Sequence, residues 1–191
     1  MALLPFLLTA LVLCCYGLAG SLGCDLPQNS VLLCKKTFVL LGQIRKMPRS
    51  LCLKDRSNFL LPQKMMTSSK LQKAQMVSVL QGTLQQILTL FNTQLSSAAW
   101  NATILHKLHT VLHQQLEVMK TCLVQVLREE GCVLAIQNPI LALRRYFLGI
   151  RLYLEDKKYS DCAWEIVRVE IMRAFSLSAK LQEKIRRIQN C

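Results

Sequence analysis

The 191-residue sequence predicts an all-α fold: a disulfide-stapled bundle of five long helices with a long first crossover loop. Three observations lead there. Apolar residues recur at helical spacing in five separate segments. No alternating β-branched run stands out as a strand candidate. Cysteines are plentiful behind an N-terminal stretch that reads as a secretory leader.

That leader is residues 1–23. It holds no charge, runs apolar from Ala2 through Ala19, and ends in the small residues Gly20, Ser21 and Gly23. Cleavage is expected between Gly23 and Cys24. The basic start common in such leaders is missing, but no stop-transfer flank follows that would favour a membrane anchor. No later stretch is apolar enough to cross a bilayer. Residues 24–191 suit one domain with one core, and they carry the whole net charge of +13. They also hold Cys24, Cys34, Cys52, Cys122, Cys132, Cys162 and Cys191. An odd number leaves at least one thiol unpaired or paired outside the chain, so the expected monomer has a route to a covalent dimer. The spacing does not give the connectivity.

The first helix is expected over Leu33–Met47, where Leu33, Phe38 (or Thr37), Leu41 and Ile44 recur and Pro48 stops the pattern. Residues 24–32 read as an extended lead-in. Residues 48–70 lack a long helical period, and a connection of that length has a job or a crossing to make. Pro62 can start a short turn through Met66. Ser68 or Ser69 is expected to open the second long helix, whose stripe is Leu71, Val77, Leu80, Leu84, Ile87, Leu88 and Phe91. "SSAAW" at 96–100 is a joint. The third helix is expected from Asn101 to Leu123 on Leu105, Leu108, Leu112, Leu116 and Met119, with Glu129-Glu130-Gly131 breaking the pattern. Pro139 marks the start of the fourth, which carries Ile140, Leu143, Phe147, Ile150 and Leu154.

The last helix organises the rest. In "SDCAWEIVRVEIMRAFSLS" at 160–178, Ala163, Trp164, Val167, Ile171, Ala174 and Phe175 form one apolar stripe, with Ser160 or Asp161 as cap. Its flank carries Glu165, Arg168, Val169, Met172, Arg173 and Ser176. A purely solvated face would seldom include Val169 and Met172, so this flank is expected to contact another protein. The helix can run on through Leu181, Ile185 and Ile188, making 180–191 a basic helical tail.

Smaller signals divide the function classes. Asn101-Ala102-Thr103 is an N-glycosylation acceptor, with a simple helix cap as the blander reading. His106, His109 and His113 share one helix side, but no carboxylate or cysteine joins them, so no metal site is expected; they read as the rim of a protein-contact face. HExxH, GxSxG, a phosphate-binding glycine loop and a CxxC pair are all missing, so the protein is expected to be neither an enzyme nor a cofactor binder. The basic charge keeps a second class open, a secreted protein that binds heparan sulfate or anionic membranes. Nucleic acid is not expected as the primary partner.

Particular residues then narrow the reading. "CDLPQ" at 24–28, "LCLKDR" at 51–56 followed by Phe59 and Pro62, "SSAAW" at 96–100, "YSDCAWEIVRVEIMR" at 159–173 and the closing "FSLS" resemble the type I interferons. The resemblance runs to about Ala179 and is closest to the omega, tau or delta branches rather than a typical alpha form. It implies a five-helix cytokine bundle with Cys24 paired to Cys122 and Cys52 to Cys162. Cys34, Cys132 and Cys191 fall outside that pattern and stay unassigned.

The resemblance also implies a function: binding and bridging a two-chain cell-surface receptor, so that its Janus kinases trigger antiviral and antiproliferative gene expression. The high-affinity chain would meet Leu53 and Arg56 from the long loop, and Arg168, Val169, Met172, Arg173, Ser176 and Leu177 from the last helix. Arg56 is the expected anchor, worth about 2 kcal/mol or more, because a guanidinium offers a rigid donor fork. The low-affinity chain would meet Leu88, Thr89, Ile104, His109, His113 and Arg144. His109 and His113 stand where many family members carry tyrosine, which implies weaker or more pH-sensitive engagement.

Overall fold

The structure is a computed structural model that describes Cys24 and residues 29–44, 47–130 and 137–189. The leader at 1–23, Cys132, Cys191 and the last two residues of the basic tail lie outside the described residues. Among the described residues there are five long helices: α1 (Asn29–Gln43), α3 (Lys73–Phe91), α5 (Ala102–Glu130), α6 (Gln137–Asp156) and α7 (Asp161–Gln189). Two short ones, α2 (Gln63–Met66) and α4 (Gln94–Ala99), and a 3-10 segment over Arg49–Asp55 fill the connections.

Side-chain contacts fix the directions. Gln115 of α5 reaches Thr37 of α1 at 2.7 Å, while Cys24, just before α1, is bonded to Cys122 further along α5. Those two helices are therefore antiparallel. Phe38 meets Phe175 edge-on at 5.1 Å and Leu41 meets Arg168, so α7 also runs against α1. Gly82 lies against Ile140 and Leu143, and Gln86 is bonded to Arg151, so α3 and α6 run together. Phe91 at the end of α3 packs on Trp100 just before α5, which makes those two antiparallel. Helices α1, α3 and α6 thus point one way, α5 and α7 the other. The parallel pair α1 and α3 needs a crossover, and residues 44–72 supply it.

Helix α3 is the axis. It is buried on nearly every side, from Ala74 through Phe91, because it packs against α5, α6 and α7 together. The expected stripe on α7 is core: Ala163, Trp164, Val167, Ile171, Ala174 and Phe175 are all at most 2% exposed. At one end Phe91, Trp100, Trp164 and Tyr159 form an aromatic cluster with centroids 5.8–6.4 Å apart.

Several boundaries differ from the expectation. Helix α1 starts at Asn29, not Leu33, because Ser30 already joins the buried face, and it ends at Gln43. Helix α3 is opened by Gln72 rather than Ser68 or Ser69. The Gln72 N–H donates to Gln75 Oε1 at 3.0 Å in a capping box, which leaves Leu71 outside the helix. The joint at 96–100 is mostly helix, capped by Thr93. Helix α5 continues past Leu123 to Glu130, since buried Val126 and half-buried Leu127 extend its apolar line.

Candidate functional site

The long loop is fastened along α7. Cys52 is bonded to Cys162 with Cα atoms 5.2 Å apart, as the family pattern implies, and Cys24 to Cys122 with Cα atoms 4.7 Å apart. Further on, Gln63 Oε1 accepts from Arg173 at 3.4 Å. The loop therefore follows α7 from residue 162 to 173, about 16 Å at helical rise. Between these ends it is also tied to α6. The Tyr153 hydroxyl donates to the Asp55 carbonyl at 2.7 Å, Phe59 sits edge-on to the Tyr153 ring, and Lys157 pairs with the Asp55 carboxylate at 3.4 Å. Burial and the nearby carboxylates of Asp55 and Asp156 raise the Tyr153 phenol to about 12, so this donor keeps its proton.

These anchors hold Leu53 and Arg56 outward. Leu53 is 52% exposed, and the Arg56 side chain is exposed next to the anchored Asp55. Leu60 is 76% exposed and adopts a left-handed backbone at φ 53°, stabilised by its N–H donating to Asn58 Oδ1. On the adjoining part of α7, Arg173 is exposed, and Val169, Met172 and Ser176 are half-buried.

Three residues that the resemblance assigns to receptor faces, Arg168, Leu177 and Leu88, are buried instead. Arg168 is 2% exposed. Its Nε and Nη2 donate to the buried Glu165 carboxylate at 2.7 and 2.6 Å, and Nη1 donates to the Leu41 carbonyl at 2.9 Å. The end of α1 leaves carbonyls without helical partners, and Arg168 satisfies one of them. The same Nη1 lies 3.0 Å from the Met172 sulfur, so Arg168 contacts this half-buried side chain from beneath. Leu177 is 7% exposed and belongs to the core. Leu88 is 5% exposed, because α3 has helices on three sides.

The residues that the resemblance assigns to the low-affinity chain lie on α3, α5 and α6. Thr89, His113 and Arg144 are exposed, while Ile104 and His109 are half-buried. His109 Nε2 sits 3.0 Å from the Phe91 carbonyl and donates to it. Burial lowers the His109 pKa, opposed by that hydrogen bond, with His113 and His106 adding repulsion. Arg151 donates to Gln86 at 3.0 Å across α6 and α3. Near this face Leu148 and Leu152 of α6 are about half exposed, an apolar signal that the sequence reading did not use. Asn101 and Thr103 are exposed at the start of α5, and Asn101 Oδ1 accepts from the Ile104 N–H at 3.1 Å. The cap uses the oxygen of the amide and leaves its nitrogen to solvent.

Cys34 is a buried free thiol, and burial raises its pKa to about 11, which makes it a poor nucleophile. Among the described residues no cluster of three metal-ligating side chains occurs, and no helix is long and apolar enough to cross a membrane.

A disulfide-stapled bundle of this topology, with a crossover loop tied to its last helix, is that of a helical cytokine. The profile described as the interferon alpha/beta domain matches residues 26–185, and the chain belongs to that family, the type I interferons. Its similarity is to the omega and tau branches. It is 58% identical to human interferon omega-1 over 97% of this chain and 95% of that protein. It is 56% identical to interferon omega-2 of Equus caballus and 50% to interferon tau of Cervus elaphus, each over at least 95% of both chains. The fold matches that of zebrafish interferon 2 with a TM-score of 0.66 at 24% identity, covering 77% of this chain and 95% of that one. The protein is thus a secreted, non-catalytic cytokine of the type I interferon class.

Proposed function

We propose that the chain signals by bridging two receptor chains at the cell surface through two faces. The high-affinity chain meets Leu53 and Arg56 of the long loop together with Val169, Met172, Arg173 and Ser176 of α7. The low-affinity chain meets Thr89, Ile104, His109, His113 and Arg144. Induced proximity of the attached Janus kinases then starts antiviral and antiproliferative transcription. The observation that carries this reading is the fastening of the loop. A disulfide, an ion pair and a side-chain bond to the main chain hold exposed Leu53 and Arg56 beside the exposed part of α7. Ordering these side chains before binding removes an entropic cost of association.

Reporter cells that carry both receptor chains, or only one, test the proposal. Signalling is expected only with both chains, and Arg56→Ala should reduce potency at least tenfold, matching about 2 kcal/mol at a hot spot. Full signalling through one chain would refute it. We also propose cleavage after Gly23 and a glycan on Asn101. Intact-mass analysis of protein secreted from mammalian cells reads both.

A further inference from the structure

The groove between α1 and the C-terminal half of α7 gathers cations from both helices. Lys35 comes from α1, Lys180 and Arg186 from α7, and all three line the same opening of about 480 Å³. Among the described residues Glu183 is the one carboxylate along it, and Arg187 already holds that group at 2.6 Å. None of the three cations has an ion-pair partner among the described residues. Gln182 and Ser176 add neutral hydrogen-bonding groups on the same walls.

We propose that this groove is a binding site for a sulfated glycosaminoglycan of the heparan sulfate class. An excess of fixed positive charge on two neighbouring helices, lined with neutral polar groups, complements a chain of sulfates and hydroxyls. Two features argue against other anions. The cavity behind the groove, lined by Leu33, Cys34 and Phe175 among others, has room for about one water at 20 Å³, so a lipid tail has nowhere to go. Phe38, the aromatic residue in the groove, is half-buried and engaged edge-on by Phe175, so it gives no open platform for stacking a base. The site would concentrate the secreted protein on cell-surface polysaccharide. The groove borders the proposed high-affinity face at Ser176, but its cations Lys35, Lys180 and Arg186 and the proposed receptor anchor Arg56 are different residues, so the two readings fail separately.

The test uses the full secreted chain and a heparin hexasaccharide in about 0.15 M salt. Lys35→Gln/Lys180→Gln/Arg186→Gln is compared with Lys70→Gln/Lys107→Gln/Arg128→Gln, which removes the same charge from exposed positions elsewhere. The groove variant should bind about tenfold more weakly or worse, and the control less than about threefold, since only charges at the contact release counterions. Equal losses would mean bulk attraction and overturn the site. A second readout is local. Lys35 and Lys180 line the groove and are exposed, so saturating hexasaccharide should slow their acetylation several-fold relative to Lys70 and Lys107, followed peptide by peptide. Unchanged rates at both groove lysines would overturn the proposal. So would tighter binding to phosphatidylserine vesicles or single-stranded DNA than to heparin. Arg56→Ala should lose receptor binding and keep heparin binding, which separates the two readings.

Discussion

The two candidate faces are held in different ways. The loop face rests on a segment with little regular structure, and it is fixed by cross-links: Cys52–Cys162, Tyr153 to the Asp55 carbonyl, Lys157 to Asp55, and Gln63 to Arg173. The helical face has few such ties, mainly Gln86 with Arg151 and His109 with Phe91. Its side chains are positioned chiefly by helix packing. An irregular segment has to be ordered residue by residue against conformational entropy, whereas a helix orders its surface by forming. Damage to a cross-link should therefore disturb the loop face while sparing the helical one.

The largest effect is expected from Cys52→Ser/Cys162→Ser. The bond closes a loop of 110 residues, and its loss should cost about 4 kcal/mol in urea unfolding. Affinity for the high-affinity chain should drop, with low-affinity binding retained in the folded fraction. Arg168→Ala comes next. It strands the Glu165 carboxylate, which is 1% exposed, and should cost roughly 3–5 kcal/mol. Glu165→Leu/Arg168→Met should recover most of that stability. If the single variant loses under about 1 kcal/mol, the buried pair is not what joins α7 to α1.

Tyr153→Phe removes one hydrogen bond, and a loss of about 1 kcal/mol in thermal unfolding is expected, with faster amide exchange around Asp55.

On the helical face pH is the lever. His109 has a lowered folded-state pKa, so its neutral form favours the fold. That stability is complete above the unfolded value near 6.5 and is lost as pH falls from there through the folded value. Denaturation measured from about pH 7.4 down to about pH 5 should show a decline that His109→Gln flattens; an unchanged slope would clear His109. The smallest effect belongs to Gly82→Ala. A Cβ there would come within 3.0 Å of Leu143 Cδ2 and 3.1 Å of Ile140 Cδ1. Both neighbours are side-chain tips that can yield by a few tenths of an ångström, so crowding and the gain in helix propensity nearly cancel, and a net change under about 0.5 kcal/mol is expected by chemical denaturation.

The sequence made one kind of feature legible and hid another. Helical periodicity pointed to the core line of α7, from Ala163 to Phe175, because a stripe against a single neighbour repeats at a fixed spacing. It also puts Leu88 in the stripe of α3, where the residue is buried, whereas the resemblance assigns Leu88 and Leu177 to receptor faces. Helix α3 is enclosed from three sides, and Leu177 lies on a second buried side of α7. Arg168 and Glu165 lie on the flank that the helical wheel sets apart from the core stripe of α7, yet both are buried. What buries them is the free carbonyl end of α1, which no pattern local to α7 reveals. Thr37 is similar: fully buried and polar, it is satisfied by Gln115 of α5, a partner far away in sequence. The cysteine pairs came from family resemblance, not spacing, and the structure contains both.

The most direct test of two-faced bridging is surface binding of the refolded protein to the two soluble receptor chains, separately and then together, with Arg56→Ala alongside. Tight binding to one chain, weaker binding to the other, and a ternary complex that the substitution abolishes is the expected result. Binding to neither chain, with both disulfides intact by mass spectrometry, would contradict it.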